Sequence, residues 1–188
     1  ARANTTGGAN VAIGQGALLT ATTGDNNVCV GRLSLRRLTT ADANTALGNE
    51  AGQNVTTGND NTSIGSRALE DCTTGVINTG VGEAAMFKLT TGDNNCALGQ
   101  SGLGLTTGGF NVFIGKNSGN NITTGANNIF IGAANEASAV GGVNQIVIGD
   151  TVTSTGNDNF TFGHAGSDSN IAFGATSISA PSDIRLKE

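Results

Sequence analysis

Few residues in this chain are of the kinds that do chemistry, and their spacing decides what they can be. The 3 cysteines are Cys29, Cys72 and Cys96. An odd number, spread over different positions of the pattern set out below, supports neither a disulfide framework nor a metal cluster. Cys72 and Cys96 fall where small core side chains are expected, and are read as small hydrophobes. The single histidine, His164, has no cysteine or second histidine to share a metal with, and reads as a surface residue. Asn59-Asp60-Asn61 and Asn157-Asp158-Asn159 offer oxygen ligands for Ca²⁺. The glycine-rich nonapeptide spacing of calcium-binding β-rolls is missing, however, so turns are the preferred assignment. Asp and Glu are scattered over turn positions, with no two in a constant facing slot. A polysaccharide depolymerase, which needs paired carboxylates in one groove, is therefore disfavoured. Neither a Ser/His/Asp triad nor a phosphate-binding loop stands out. No enzyme, cofactor or metal is expected.

The elements that would position any site come from the composition. Of 188 residues, 30 are Gly and 1 is Pro, with 4% aromatic and 12% charged. A helical bundle needs far more Leu, Glu and Lys, and generic disorder favours charge and proline. Net charge is −5, and Arg36-Arg37 is the one basic pair. Nucleic-acid binding has little support from that distribution. No apolar run approaches the ~20 residues needed to span a bilayer, so no membrane insertion is expected.

What the composition hides is a repeat. Thr-Thr pairs begin at Thr5, Thr22, Thr39, Thr56, Thr73, Thr90, Thr106 and Thr123, 17 residues apart except for one 16-residue step from Thr90 to Thr106. Gly follows each pair, with Ala41 the exception. Asn then recurs at Asn10, Asn27, Asn44, Asn61, Asn78, Asn95, Asn111 and Asn128, and Gly comes four residues after each of these. The unit is Thr-Thr-Gly-x-x-Asn-x-x-aliphatic-Gly, opened partway at residue 1, which predicts that residues precede it.

The segment between Asn and Gly reads as a strand. Its last residue is Ile13, Val30, Leu47, Ile64, Val81, Leu98, Ile114 or Ile131, never polar and therefore expected to face a core. Two residues earlier stand Val11, Val28, Thr45, Thr62, Thr79, Cys96, Val112 and Ile129, β-formers expected on that same face. Gly ends the strand at a corner needing positive φ or close backbone approach. A second short strand is expected to lead into each Thr-Thr, ending on core residues Ala21, Leu38, Val55, Cys72, Leu89, Leu105 and Ile122. The fixed Asn suits either a left-handed turn or a ladder of amides bonded from coil to coil.

Seventeen residues cannot bury a core alone, whereas stacked coils can. The fold class expected is all-β, a parallel β-solenoid of 17-residue coils, trimeric as a fibre. Eight regular coils at about 4.8 Å each make a rod of roughly 40 Å. The middle strand residue, Ala12, Cys29, Ala46, Ser63, Gly80 and Ala97, stays small, then becomes Phe113, Phe130 and Val147. Two assignments compete for the small residues: a solvent face of low cost, or tight contact with neighbouring chains around a threefold axis. The bulkier residues beyond them are expected to be buried in an oligomer. Residues 1–132 form the regular solenoid and 133–181 degenerate coils and a transition region, in which Gln145 to Gly149, Asn159 to Gly163 and Asn170 to Gly174 keep the strand without Thr-Thr.

The chain ends Ser182-Asp183-Ile184-Arg185-Leu186-Lys187-Glu188. This resembles the junction of the self-cleaving, endosialidase-type intramolecular chaperones found at the C-termini of phage tail fibres, tailspikes and neck appendages. Their chaperone domain opens Ser-Asp-x-Arg-x-Lys and is cut between Ser and Asp once it has assembled a trimer. The resemblance implies that Ser182 is the nucleophile, Lys187 its activating partner and Asp183 the first residue of the released domain. A serine hydroxyl needs a base, and a desolvated lysine can serve. Residues 182–188 would then open a C-terminal chaperone domain whose remainder the sequence does not include, and this one-time cleavage is the only chemistry expected. The Asn-x-x-Ile-Gly strand also resembles the β-roll heads of trimeric autotransporter adhesins, and similar repeats occur in the trimeric adhesive fibres of predatory bacteria.

These resemblances imply a structural shaft or tip segment of a trimeric phage tail fibre, on the virion and involved in host attachment. The alternative is a bacterial cell-surface trimeric adhesin, extracellular and assembled by the same chaperone. An outsider is an ice-binding solenoid exposing a single row of threonines. The partners implied are two further copies of the chain and a cell-surface receptor, glycan or protein, of a host or prey cell. Arg36, Arg37 and Phe87 are the expected receptor contacts.

Overall fold

Each unit contributes one short strand, and its neighbour one coil further on is its hydrogen-bonding partner. A computed structural model describes residues 4–175. Its strands are β1 (Val11–Ile13), β2 (Val28–Val30), β3 (Thr45–Leu47), β4 (Thr62–Ile64), β5 (Thr79–Val81), β6 (Cys96–Leu98), β7 (Val112–Ile114), β8 (Ile129–Ile131), β9 (Gln145–Asp150), β10 (Asn159–His164) and β11 (Ser169–Ala172). They form one sheet in sequence order. Pairing is parallel from β1 to β10, with Val28 beside Val11 and Thr45, for example. The fold is a parallel β-solenoid, all-β, with no helix among the described residues.

The short step from Thr90 to Thr106 leaves the sheet intact. Cys96 still pairs with Val112, so the missing residue is absorbed in the turn after Gly99. Beyond Ala133 the stacking continues but changes step. Ile146 pairs with Ile129 at the usual spacing, whereas Asn159 pairs with Gln145 only 14 residues earlier, and β11 then folds back antiparallel on β10.

Three expectations about the coil are corrected. First, the strand is inverted. The middle residue faces inward: Cys29, Ala46, Ala97, Phe113, Phe130 and Val147 are each 0% exposed. The flanking residues face outward, with Ile13 at 60% and Leu98 at 51%. A three-residue strand of alternating direction can send either one residue or two into the lumen. A coil this small has room for one, so the two columns of larger aliphatics lie outside. Phe113, Phe130 and Val147 are therefore core residues of a single chain, not an oligomer contact.

Second, among the described residues no strand leads into Thr-Thr. That wall is a succession of turns with residues in left-handed conformation, such as Leu33 at φ 59° and Leu35 at φ 45°. Leu38, Val55, Cys72, Leu89, Leu105 and Ile122 are nevertheless fully buried, as expected of that slot. Third, Cys96 is exposed, while Cys29 and Cys72 are the buried pair.

The lumen is filled by compensation between facing walls. Where the strand contributes Cys29, Ser63 or Gly80, the opposite wall contributes Leu35, Leu69 or Met86, and where both slots are small, at Ala46 with Gly52 and Ala97 with Gly102, Leu35, Met86 and Phe113 reach in from neighbouring coils. Where the strand contributes Phe113, the wall has Gly119 at φ 66°, and a methyl there would collide with the Phe113 ring. Phe113 and Phe130 stack with centroids 5.9 Å apart.

Asn forms a continuous internal ladder. The amide Nδ2 of Asn78 donates to Asn61 Oδ1 at 3.1 Å and to the Gly92 carbonyl at 2.8 Å. The same contacts recur from coil to coil, and the Asn sidechains from Asn27 to Asn128 are buried. The residue before each ladder Asn takes the left-handed conformation, as Asn26 does at φ 60°. Gln145 ends the ladder by donating its backbone N–H to Asn128 Oδ1 at 2.9 Å. Beside it runs a hydroxyl ladder in which Thr22 Oγ1 donates to the Thr39 carbonyl at 3.1 Å, and Thr39 to Thr56 likewise.

Candidate interaction surface

The largest organised feature of the exterior is the outer face of the sheet. It carries the two flanking columns named above, from Val11 and Ile13 in β1 to Ile146 and Ile148 in β9. All of its side chains from β1 to β8 are aliphatic, threonine or cysteine, with no charge. Val11, Ile13, Val28, Leu47 and Leu98 are open to solvent and the rest are mostly half-buried by their neighbours in the column. In β10, Phe160 and Phe162 prolong the columns, with ring centroids 5.0 Å apart. Nine strands spaced about 4.8 Å apart, with two columns across a width of about 10 Å, make a flat strip on the order of 400 Å². The largest apolar patch on an ordinary monomer is about 300–600 Å² and is often functional, which makes this strip the candidate interaction surface.

The strand is short because glycine ends it. Gly31 sits at φ 142° against the carbonyl oxygen of Gly48, so a side chain here would clash with the next coil. That close approach keeps the strands in step, and therefore keeps the outward columns straight.

The turn face that follows the strands holds the expected receptor residues. Arg36 and Arg32 line a notch of about 320 Å³ with Gln15, Gly16, Leu19 and Leu33. Arg32 also pairs with Glu50 at 3.2 Å. Phe87 lies three coils beyond Arg36, under Arg67 and Lys88 at 5.3 and 5.4 Å from its ring centroid. Arg67 pairs with Glu70, which holds its guanidinium above the usual range. The structure thus places Arg36, Arg37 and Phe87 on one side of the coil but does not bring them into one site.

The cysteines divide by environment. Burial pushes the Cys72 thiol up to about 12. Burial raises the Cys29 thiol as well. Cys96 stands on the outward strip beside Thr79 and Val112. Among the described residues no group of three His, Cys, Asp or Glu side chains is placed to hold a metal ion. His164 pairs with Asp150 at 3.3 Å on the surface. Asn59 and Asn61 are occupied by structure, since Asn59 Oδ1 accepts the Asp42 N–H and Asn61 is a ladder residue. The second threonine of each pair, such as Thr23 and Thr40, forms one exposed row.

Ser182, Asp183 and Lys187 lie outside the described residues. What the reading of the sequence missed is the strip itself. Its signal was present in volume: a lumen slot that holds Phe113 where the facing wall holds Gly119 identifies the middle residue as inward, and its neighbours as outward. No helix among the described residues is long and apolar enough to cross a membrane. No protein-family model matches the sequence, and no curated protein and no solved structure matches it either.

Proposed function

We propose that this chain is a structural segment of a homotrimeric fibre, the shaft or tip of a viral tail fibre that serves host attachment. The observation that carries the proposal is the straight, uncharged outer strip of β1 to β9. A rod whose one flat face is uncharged and mostly aliphatic along its length is suited to lateral packing against copies of itself. The other surfaces are turns, mostly polar but exposing Ile77, Phe110 and Val140, and free to meet a receptor. The Ser182 to Lys187 motif supports the same reading through its resemblance to a junction at which chaperone domains assemble trimers.

A bacterial cell-surface trimeric adhesin is the second reading, favoured by the resemblance of the Asn-x-x-Ile-Gly strand to adhesin β-rolls. Immunogold electron microscopy with antibodies raised against residues 4–175 separates the two. Gold on the fibres of virus particles supports the tail fibre, and gold on the bacterial envelope supports the adhesin. Label confined to the cell interior contradicts both.

A further inference from the structure

The notch on the turn face exists because one side chain is missing from a regular column. The slot behind it holds a left-handed residue in coil after coil: Leu33 at φ 59°, Glu50 at φ 59°, Arg67 at φ 60° and Asn117 at φ 59°. Gly16, at φ 72°, takes the same slot in the first coil. Larger residues hold that conformation elsewhere in the column, so the backbone alone does not call for glycine. What glycine provides is room, since a Cβ on Gly16 would lie 2.8 Å from Leu33 Cδ2. The space left is about 320 Å³.

The walls of the notch differ in chemistry. Leu19 and Leu33 are apolar, Gln15 brings an amide that both donates and accepts, and Arg32 and Arg36 bring two guanidinium groups. Arg32 is shared with Glu50 at 3.2 Å, whereas Arg36 has no ion-pair partner among the described residues. In the slot of Arg36 the coils on either side place Leu19 and Gln53, both uncharged. The other acids of these coils, Asp25 and Asp42, stand before the strands, where their carboxylates accept the N–H groups of Gly8 and Asp25 at 2.6 and 2.7 Å. Arg36 is half-buried, so an anion entering the notch meets a partly desolvated cation that no carboxylate neutralises.

We propose that the notch binds an acidic sugar, a single pyranose ring carrying one anionic group, with Arg36 as the partner of that group. This deepens the attachment reading by naming a receptor chemistry, and rests on it for what the binding is for. Small-molecule sites begin at about 300 Å³, so the notch admits one ring. A planar guanidinium meets a carboxylate or a sulfate through two parallel hydrogen bonds. Leu19 and Leu33 offer a surface to the C–H face of the ring, and the Gln15 amide suits its hydroxyls. A peptide is the poorer fit, because backbone groups around the notch are already engaged between coils. The Leu33 N–H donates to the Gln15 carbonyl at 2.9 Å, the Glu50 N–H to the Arg32 carbonyl at 2.9 Å and the Thr20 N–H to the Arg36 carbonyl at 3.2 Å.

Saturation-transfer NMR titrations on the purified protein test this with four probes: methyl β-glucuronide, a methyl β-glucoside sulfate, neutral methyl β-glucoside, and N-acetylglutamate N-methylamide. At least one of the two charged glycosides should bind, at least tenfold tighter than the neutral one and than the glutamate derivative. Arg36→Ala should weaken that binding at least tenfold. Gly16→Asn, which keeps every charge and fills the notch with the residue found at Asn117, should do the same. Lys116→Ala, a cation lost from the same side of the rod but far from the notch, should change it less than twofold. Circular dichroism checks the fold of each variant, and Arg36→Ala alone decides if Gly16→Asn does not fold. Failure of both charged glycosides to bind overturns the inference, as does equal binding of the neutral glycoside or of the glutamate derivative. A loss in Lys116→Ala as large as in Arg36→Ala also overturns it, since diffuse charge then suffices. Both walls of the notch belong to one chain, so the result is read on monomer or trimer alike. Failure at the notch leaves the fibre reading standing, and a monomeric mass removes the fibre reading without touching the notch.

Discussion

Asn78 donates twice to one oxygen of Asn61: its backbone N–H at 3.0 Å and its side-chain Nδ2 at 3.1 Å both meet Asn61 Oδ1. Asn78 Oδ1 in turn accepts the same pair from Asn95. Each buried amide thus leans on the coils on either side of it, which explains why the residue cannot change without its neighbours. Asn78→Ala would leave the Asn95 N–H and amide without their acceptor and the Gly92 carbonyl without its donor. Buried groups stranded in this way cost about 1–3 kcal/mol each, so a loss of about 3 kcal/mol is expected. A shift of the urea midpoint, followed by circular dichroism, measures it. Asn10→Ala, at a half-buried rung, should cost much less.

Packing between Gly119 and Phe113 supplies the second prediction. Gly119→Ala places a methyl against the Phe113 ring at a left-handed backbone position. Overpacking and the backbone penalty together should cost about 3 kcal/mol. Phe113→Ala in the same chain removes the clash. A double-mutant cycle on thermal midpoints should therefore show a coupling of about 1 kcal/mol or more between the two positions. Independent, additive losses would mean that the two walls do not touch.

Two substitutions should stabilise the fold. Ser118 Oγ is buried and has no hydrogen-bond partner within the described residues, and the same slot in other coils holds Ala51, Ala68 and Ala85. Ser118→Ala should gain about 1 kcal/mol by removing an unpaired hydroxyl. Ile77 is a β-branched residue at φ 59° and 54% exposed, in a slot that elsewhere holds Asn26, Asn94 and Asn127. Ile77→Asn should gain about 1 kcal/mol by relieving left-handed strain. Both gains are read from chemical denaturation of the single variants.

The thiols predict alkaline behaviour. Cys72 ionises at about 12 when folded, against its ordinary 9.0 when unfolded. Between these values the unfolded chain holds fewer protons than the folded one, so stability falls as pH rises through that window and is fully present below it. The whole loss is on the order of a few kcal/mol. Thermal midpoints from pH 8 to 11 should therefore fall more steeply for the unaltered protein than for Cys72→Val, which borrows the side chain of Val55. Parallel curves would contradict this. Under native conditions a thiol reagent should spare Cys29 and Cys72, and should reach Cys96 only when the outer strip is uncovered.

How legible all this was depends on what each residue must do. The fixed slot from Asn10 to Asn128 declares itself, because a shared amide geometry forces one residue type into it, while the structure decides for the ladder and gives the left-handed turn to the residue before. The core positions Leu38, Val55 and Leu89 are likewise plain, being apolar between polar neighbours. The strand misleads, because Ile13, Val30 and Leu47 have the hydrophobicity of core residues, while the lumen takes one side chain from each strand and that is the middle one. Nor does a pattern of period two reveal that the wall before Thr39 or Thr56 is built from left-handed turns, since Leu33 and Leu35 are uncommon occupants of that conformation.

The central claim is that the outer strip is covered by further copies of the same chain. Multi-angle light scattering of the purified protein, coupled to size exclusion, tests it most directly. The account predicts one species with three times the mass of the chain. A single-chain mass that persists as the concentration is raised would contradict it.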